Sequence, residues 1–296
     1  MKWVKNCIYL FSLLGFSLLI GCSASPTPAS NVVPTDQRTE QQLTNTPVPP
    51  NTPTPSLAPL PSLTPSLDTA QVTAICSPLE DIELRDLHSI TSQPFKAPSA
   101  YLDDGHPAVD LAFFSFEGFP SMLGHPVQSI LPGVVVQVVE DRYPYGNMIM
   151  IETPLDQLPD GILPPTSMPT PIPEENINLF SPCKTNPLYS EMVPIKWSES
   201  SRSLYTLYSH LQEKPDFEVG DNITCGQTIG AVGITGNSVA EHLHLEIRIG
   251  PSEAEFGSLA MYTPDATVEE RYNYCIWSTS GRFQPIDPAV FWVTQP

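Results

Sequence analysis

The sequence predicts a mainly β domain over residues 71–296, built from antiparallel strands packed as a sandwich or barrel. Two observations predict this class. From about residue 72 the chain alternates short apolar runs with glycine and proline turns, which is typical of strands joined by hairpins. Amphipathic helical patterns are few, and the best short candidate is the segment EDIELRDLHSI.

The predicted strands follow one another along this region. A Pro-Gly turn leads into a strand over residues 134–139, and the segments GNMIMIE and SLYTLYSHL predict the next two strands. Tight turns in GQTIGAVGITGNS then lead into a further strand, HLHLEIRIG. Residues 153–203 interrupt this pattern, because they are rich in proline and far longer than a hairpin loop. We interpret them as an insertion between two core strands, and the sequence leaves open whether this insertion covers a groove as a lid.

Residues 1–21 have the layout of a secretory signal peptide. Lys2 and Lys5 precede an apolar run over residues 7–20, which is shorter than the about 20 residues that a membrane span needs. The run ends in LLIGC, which resembles the lipobox of bacterial lipoproteins, where the chain is cut before the cysteine and Cys22 receives lipid. A plain signal peptide with an incidental cysteine is the alternative. We therefore expect an extracytoplasmic lipoprotein that is anchored to a lipid membrane.

Residues 22–70 predict a disordered stalk. They are rich in proline, threonine and serine, and such a segment buries too little apolar surface to offset the entropy lost on ordering. A Pro-rich chain tends to the extended polyproline II conformation, so this stalk would hold the domain on the order of 100 Å from its lipid.

The charge balance excludes two classes of partner. The formal net charge is −19, from 32 acidic and 13 basic residues. This balance argues against electrostatic binding of nucleic acid and against a polybasic helix on a membrane surface. We expect a monomer that touches the membrane through its lipid anchor alone.

The folded region contains four cysteines: Cys76, Cys183, Cys225 and Cys275. An even number in an oxidising compartment predicts two disulfides, and the spacings lack the CxxC pattern of cysteine zinc sites. The sequence leaves three connectivities open. The interpretation that we favour joins Cys76 to Cys275, which ties the ends of the folded region together. It leaves Cys183 to pair with Cys225.

Two histidines lie two residues apart in the last predicted strand. Residues at this spacing share a strand face. The predicted core face consists of Leu243, Leu245, Ile247 and Ile249. The predicted opposite face, which is free to act, consists of His242, His244, Glu246 and Arg248. An ordinary polar strand face is the alternative to a metal site.

Other polar residues complete a possible zinc inventory. His106 lies four residues before Asp110, a spacing at which both side chains can reach one ion. The alternation in SLYTLYSHL places His210 on the strand face opposite Leu207 and Leu211. Catalytic zinc sites use three nitrogen or oxygen ligands and leave a fourth position to water.

These motifs carry a family resemblance. The order H-x-x-x-D, Y-x-H-L and H-L-H-x-E resembles the LytM/lysostaphin-type peptidoglycan endopeptidases, the zinc metallopeptidases of family 23. The resemblance covers about residues 103–292 apart from the insertion. The resemblance implies a LytM/lysostaphin-like fold of the duplicated hybrid motif type, one zinc ion, and peptidoglycan of the cell wall as the partner. A non-catalytic wall-binding or amidase-activating module with the same fold is the alternative function.

The resemblance also implies roles for the five site residues. His106, Asp110 and His244 would bind zinc. His242 would be the general base for the zinc-bound water, and His210 would stabilise the oxyanion or pass a proton to the leaving amine.

The first motif and the residues just before it give two further expectations. Ala108 stands where the family usually has glycine, and a positive φ there would cost on the order of 1 kcal/mol. Asp103 and Asp104 precede the first motif, and we expect both of them to face water in a turn.

Overall fold

The computed structural model describes residues 75–113, 121–163 and 167–293. The chain divides into two units, residues 1–63 and 64–296, and all described residues belong to the second unit. The predicted signal peptide, the lipidation site Cys22 and the stalk lie outside the described residues. Among the described residues, no helix has both the length and the apolar character that a membrane span requires.

The described residues form ten strands in two antiparallel sheets. Their bounds are β1 (Thr91–Gln93), β2 (Ala108–Leu111), β3 (Pro126–Gln128), β4 (Gly133–Arg142), β5 (Gly146–Pro154), β6 (Ser198–Leu211), β7 (Asn222–Ile223), β8 (Thr228–Ala231), β9 (Leu243–Ser252) and β10 (Gln284–Ile286). The larger sheet has the order β1-β2-β9-β6-β5-β4-β7, with β10 also paired to β9, and the smaller sheet is β3-β8. The predicted antiparallel, mainly β class is confirmed. The larger sheet is open, because β1 and β7 end it at opposite edges.

Helices are short and lie mostly outside the sheet. They are α1 (Glu174–Phe180), α2 (Pro182–Thr185), α3 (Val268–Ser278) and α4 (Val290–Val293). The helix candidate EDIELRDLHSI forms a 3₁₀ helix over Leu84–Ile90, with Leu87 and Ile90 buried. A capping box starts α3: the Thr267 hydroxyl accepts from the Glu270 N–H at 3.1 Å, and the Glu270 carboxylate accepts from the Thr267 N–H at 2.9 Å.

Strand β9 is buried on both faces. One face packs into a buried cluster that contains Phe291, and we call this cluster the α4 core. It includes all four predicted core residues of β9: Leu243, Leu245, Ile247 and Ile249. The prediction that the opposite face is free is wrong for its second half. Glu246 and Arg248 are buried there, because Arg248 packs on Trp277 of α3, 5.0 Å from the ring centroid. We call the cluster on this side, which includes Trp277 and Leu207, the α3 core.

The two disulfides join Cys76 to Cys225 and Cys183 to Cys275. The favoured pairing of Cys76 with Cys275 and of Cys183 with Cys225 is therefore wrong. The physical reason is tertiary packing. The Cys76 N–H donates to the Ile130 carbonyl at 3.0 Å, and the Cys225 sulfur lies 3.3 Å from that same oxygen. Helix α2 packs on α3, which brings the other two Cα atoms to 5.7 Å, a distance that a disulfide spans.

The predicted insertion lies between β5 and β6. Both strands extend a few residues into the range 153–203, because Pro154 still pairs with Ser203. The connection holds α1 and α2, and its disulfide attaches α2 to α3.

Candidate metal centre

Strand pairing brings the first motif of the sequence to the third. Strands β2 and β9 are antiparallel, with Asp110 directly opposite His244. One Asp110 oxygen, Oδ1, lies 2.9 Å from Nδ1 of His244 and 3.2 Å from Nε2 of His106. His106 precedes β2 and is held by a bridge to Lys96. The close contact of the three side chains follows from strand register, although 134 residues separate Asp110 from His244.

His210 reaches the same site through an irregular backbone. Its φ is 59°, in the left-handed region that non-glycine residues seldom adopt. This φ breaks the predicted alternation: Leu207 lies in the α3 core, whereas Leu211 lies in the α4 core. The prediction of one shared face for these two leucines is therefore wrong. The turn places the ring centroid of His210 4.8 Å from that of His242 and 5.4 Å from that of His244.

Backbone carbonyls fix the tautomers of two histidines. Nδ1 of His210 donates to the Thr235 carbonyl at 2.8 Å, and Nδ1 of His242 donates to the Ala240 carbonyl at 2.9 Å. Nε2 of each of these two rings is therefore left as the unprotonated nitrogen. His106 has an acceptor at each nitrogen, because its Nδ1 lies 3.3 Å from the Pro94 carbonyl and its Nε2 lies 3.2 Å from Oδ1 of Asp110.

The donor set fits a zinc ion. Two overlapping groups have ligand atoms within 4.8 Å of one another: His106, Asp110 and His244, and His210, His242 and His244. Tetrahedral ligands that each bind zinc at 2.0–2.1 Å lie about 3.3 Å apart. The two distances from Oδ1 of Asp110 to the histidine nitrogens of the first group, 2.9 and 3.2 Å, are close to this separation. A mixed imidazole and carboxylate set is also the usual chemistry of catalytic zinc. All five predicted site residues thus lie together.

The site residues perturb one another's pKa values. Burial raises the pKa of Asp110, but hydrogen bonds with His106 and His244 outweigh burial and hold its pKa well below the usual range. Burial lowers the pKa of His244, but the hydrogen bond with Asp110 and the nearby Glu246 carboxylate raise it to about 9. Burial and the neighbouring charges of His244 and His242 lower the pKa of His210 to about 3.

We expect the metal-free protein to lose stability as the pH rises from about 7 to 9.5. His244 has a pKa of about 9 in the folded state, against 6.5 for an ordinary histidine. The folded state therefore retains a proton that the unfolded state releases, and this stabilisation fades as the pH passes through the folded pKa. Urea unfolding of the chelator-treated protein across this range measures the effect. If a His244→Asn variant lost the same amount of stability over this pH range, the effect could not be assigned to His244.

A charged network that the sequence analysis did not predict lies behind His244. Nε2 of His244 is buried without a hydrogen-bond partner and lies 3.8 Å from Oε2 of Glu246. That carboxylate accepts from the Tyr145 hydroxyl at 3.0 Å and from Nε of Arg248. Trp277 in turn donates to the Tyr145 oxygen at 3.1 Å. The sequence signal for this network was the alternation that places Glu246 and Arg248 on the histidine face. The structure shows that these two residues pair with each other.

The site opens into a cleft of about 530 Å³. All five site residues line it, together with Asp103, Val239 and Tyr274. None of the described residues between β5 and β6 lines this cleft, so within the described chain the insertion does not cover it. Ala108 is buried in β2 with no positive φ, and the expected backbone penalty is absent.

A family comparison covers part of this site. Residues 184–255 match the model described as Peptidase family M23. The match covers 72 of the 296 residues, and we call the matched segment the M23 region. It includes His210, His242 and His244, whereas His106 and Asp110 lie outside it and reach the site through the pairing of β2 with β9.

The chain is also similar to individual known proteins. The DD-carboxypeptidase/endopeptidase Mpg of Neisseria meningitidis is 39% identical over 66 residues, which cover 22% of this chain and 15% of that protein. The chain therefore spans only a small part of this curated relative. The catalytic domain of the antimicrobial peptidase lysostaphin from Staphylococcus simulans is 18% identical, with 72% of this chain and 98% of that chain covered and a TM-score of 0.35. A zinc containing peptidase from Vibrio cholerae is 18% identical, with 60% and 37% covered and a TM-score of 0.33.

Proposed function

We propose that this protein is a zinc-dependent endopeptidase that hydrolyses peptide bonds in the cross-links or stem peptides of peptidoglycan. The observation that carries the proposal is the convergence of His106, Asp110 and His244 with two further histidines in one open cleft. The M23 region supports a peptidase activity, and so does the name of the Neisseria relative. The predicted signal peptide, the lipidated Cys22 and the stalk would place this domain outside the cytoplasm, anchored to a membrane and facing the cell wall.

His106, Asp110 and His244 would hold the zinc. A bound zinc ion lowers the pKa of its water towards about 7 and polarises the scissile carbonyl. His106 offers Nε2, and the Pro94 carbonyl fixes the ring that carries it. His244 offers Nδ1, with Nε2 directed at the Glu246 carboxylate.

The other two histidines would transfer protons. His242 holds its Nδ1 proton on the Ala240 carbonyl, and its Nε2 lies 3.7 Å from Oδ1 of Asp110, so that nitrogen can take a proton from the attacking water. His210 also holds its proton on Nδ1, so Nε2 must accept a proton before it passes one to the leaving amine. The two rings flank the same volume, since their centroids are 4.8 Å apart.

The test combines metal content with product analysis. We expect the purified protein to bind one zinc and to release muropeptides that mass spectrometry identifies. His242→Ala should retain zinc and lose activity by roughly 10²- to 10⁴-fold, the usual contribution of general base catalysis. His88→Ala is the matched control, because that histidine is exposed, lies outside the cleft and, within the described part of the chain, hydrogen-bonds through its side chain to the Arg85 carbonyl alone. Protein that binds the wall without zinc and without hydrolysis would instead support the non-catalytic module.

A further inference from the structure

Asp103 presents an oriented carboxylate to the cleft. Its Oδ2 accepts from the Tyr274 hydroxyl at 2.8 Å, and its Oδ1 accepts from the Ser278 hydroxyl at 2.8 Å. Both donors belong to α3, whose start is fixed by its capping box. Burial raises the pKa of Tyr274 well above its usual value, so this donor keeps its proton at neutral pH. Each carboxylate oxygen has a second lone pair, and the carboxylate can therefore accept further hydrogen bonds from a ligand.

The negative charge of Asp103 has no cationic partner among the described residues. The two other acids of the cleft are paired: Asp110 contacts histidines, and Glu246 forms an ion pair with Arg248. No lysine or arginine is among the residues that line the cleft. The cleft therefore has one oriented, uncompensated carboxylate in addition to the predicted metal ligands.

The neighbouring Asp104 differs in its partners and in its position relative to the cleft. Its oxygens accept from the N–H and the hydroxyl of Ser99, at 2.5 and 2.8 Å, and it does not line the cleft. Both aspartates are exposed, as expected, but they accept hydrogen bonds from separate partners. Asp104 holds the local turn, whereas Asp103 borders the space that a substrate would fill.

We propose that Asp103 binds a primary ammonium group of the substrate next to the scissile bond. The substrates would then be peptides with a free amine, either on the side chain of a diamino acid or at the N-terminus. This inference rests on the proposed function, because it names the substrate class of the same cleft. An ammonium group offers three donors to the free lone pairs of the carboxylate, and a charge-assisted hydrogen bond of this kind is stronger than a neutral one.

Binding measured without turnover tests this inference separately from catalysis. The probes are a peptide with a diamino-acid side chain, a peptide with a free N-terminus, and each peptide with that amine acetylated. In the zinc-loaded His242→Ala protein we expect one free-amine peptide to bind roughly tenfold more tightly than its acetylated form. Adding Asp103→Asn should remove this preference and leave binding of the acetylated peptide unchanged, since asparagine retains hydrogen-bonding capacity toward Tyr274 and Ser278. Adding Asp104→Asn should leave the preference intact.

The outcomes separate the possible failures. Equal binding of free and acetylated peptides, or a preference that survives Asp103→Asn, would overturn the ammonium site. A purely structural role for Asp103 predicts that Asp103→Asn weakens both forms equally, which would also overturn it. If the preference behaves as expected but zinc-loaded native protein cleaves no peptide, the ammonium site stands and the proposed peptidase activity fails. The peptide pair that shows the preference identifies the source of the amine.

Discussion

Asp110→Ala should weaken zinc binding more than 100-fold, beyond the roughly 10- to 100-fold effect of losing an outer-shell partner. The reason is the central position of this carboxylate, whose Oδ1 lies 3.2 Å from His106 and 2.9 Å from His244. Hydrolysis should fall with the metal. Competition with a chromogenic chelator measures the affinity, and Asp104→Ala is the neighbouring control.

The two overlapping ligand groups make this prediction selective. If zinc is held by His106, Asp110 and His244, then His210→Ala should retain zinc while activity falls. If it is held by the three histidines 210, 242 and 244, then Asp110→Ala should retain zinc and His210→Ala should lose it. Unchanged affinity in Asp110→Ala would therefore contradict the assignment and move the ion to the second group.

Arg248→Met should destabilise the protein by about 3 to 5 kcal/mol, the cost of leaving a buried charge without its partner. Arg248 is 1% exposed and Glu246 is fully buried. The change would also remove hydrogen bonds from Nη1 of Arg248 to the carbonyls of Ser278, the last residue of α3, and Phe283, which directly precedes β10. Chemical unfolding of the zinc-free protein measures the loss.

A second substitution tests the cause. Arg248→Met combined with Glu246→Gln removes the orphaned charge, so part of the stability should return. Arg202→Met is a control for the loss of a guanidinium group, because Arg202 is only partly buried and donates to the Ile249 carbonyl without an ion pair among the described residues. If Arg248→Met costs less than about 1 kcal/mol, the pair contributes little to stability.

Local sequence patterns predicted the strands and the core face of β9. Alternation correctly placed the four apolar residues of β9 in the core, because a two-residue period determines which side chains share a face: Leu243, Leu245, Ile247 and Ile249. The convergence of His106, Asp110 and His244 was available only through family resemblance, since register between β2 and β9 is not encoded in either strand alone. The roles in zinc binding and catalysis remain predictions.

Three features required the folded chain. The positive φ of His210 cannot be deduced from an alternating pattern, which assumes regular strand geometry. The burial of Glu246 and Arg248 depends on α3, which follows β9 in the chain and covers a face that looks solvated in sequence. Disulfide pairing depends on which loops meet in space, and the spacing of Cys76, Cys183, Cys225 and Cys275 carries no such information.

The two disulfides overlap along the chain, because the loop closed by Cys76 and Cys225 ends inside the loop closed by Cys183 and Cys275. Any single break of the backbone between residues 76 and 275 is therefore spanned by at least one bridge. A protease that cuts the proline-rich connection once would leave the segment with His106 and Asp110 covalently joined to the segment with His210 and His244. The protein would remain one molecule after nicking, with both halves of its candidate metal centre tethered together.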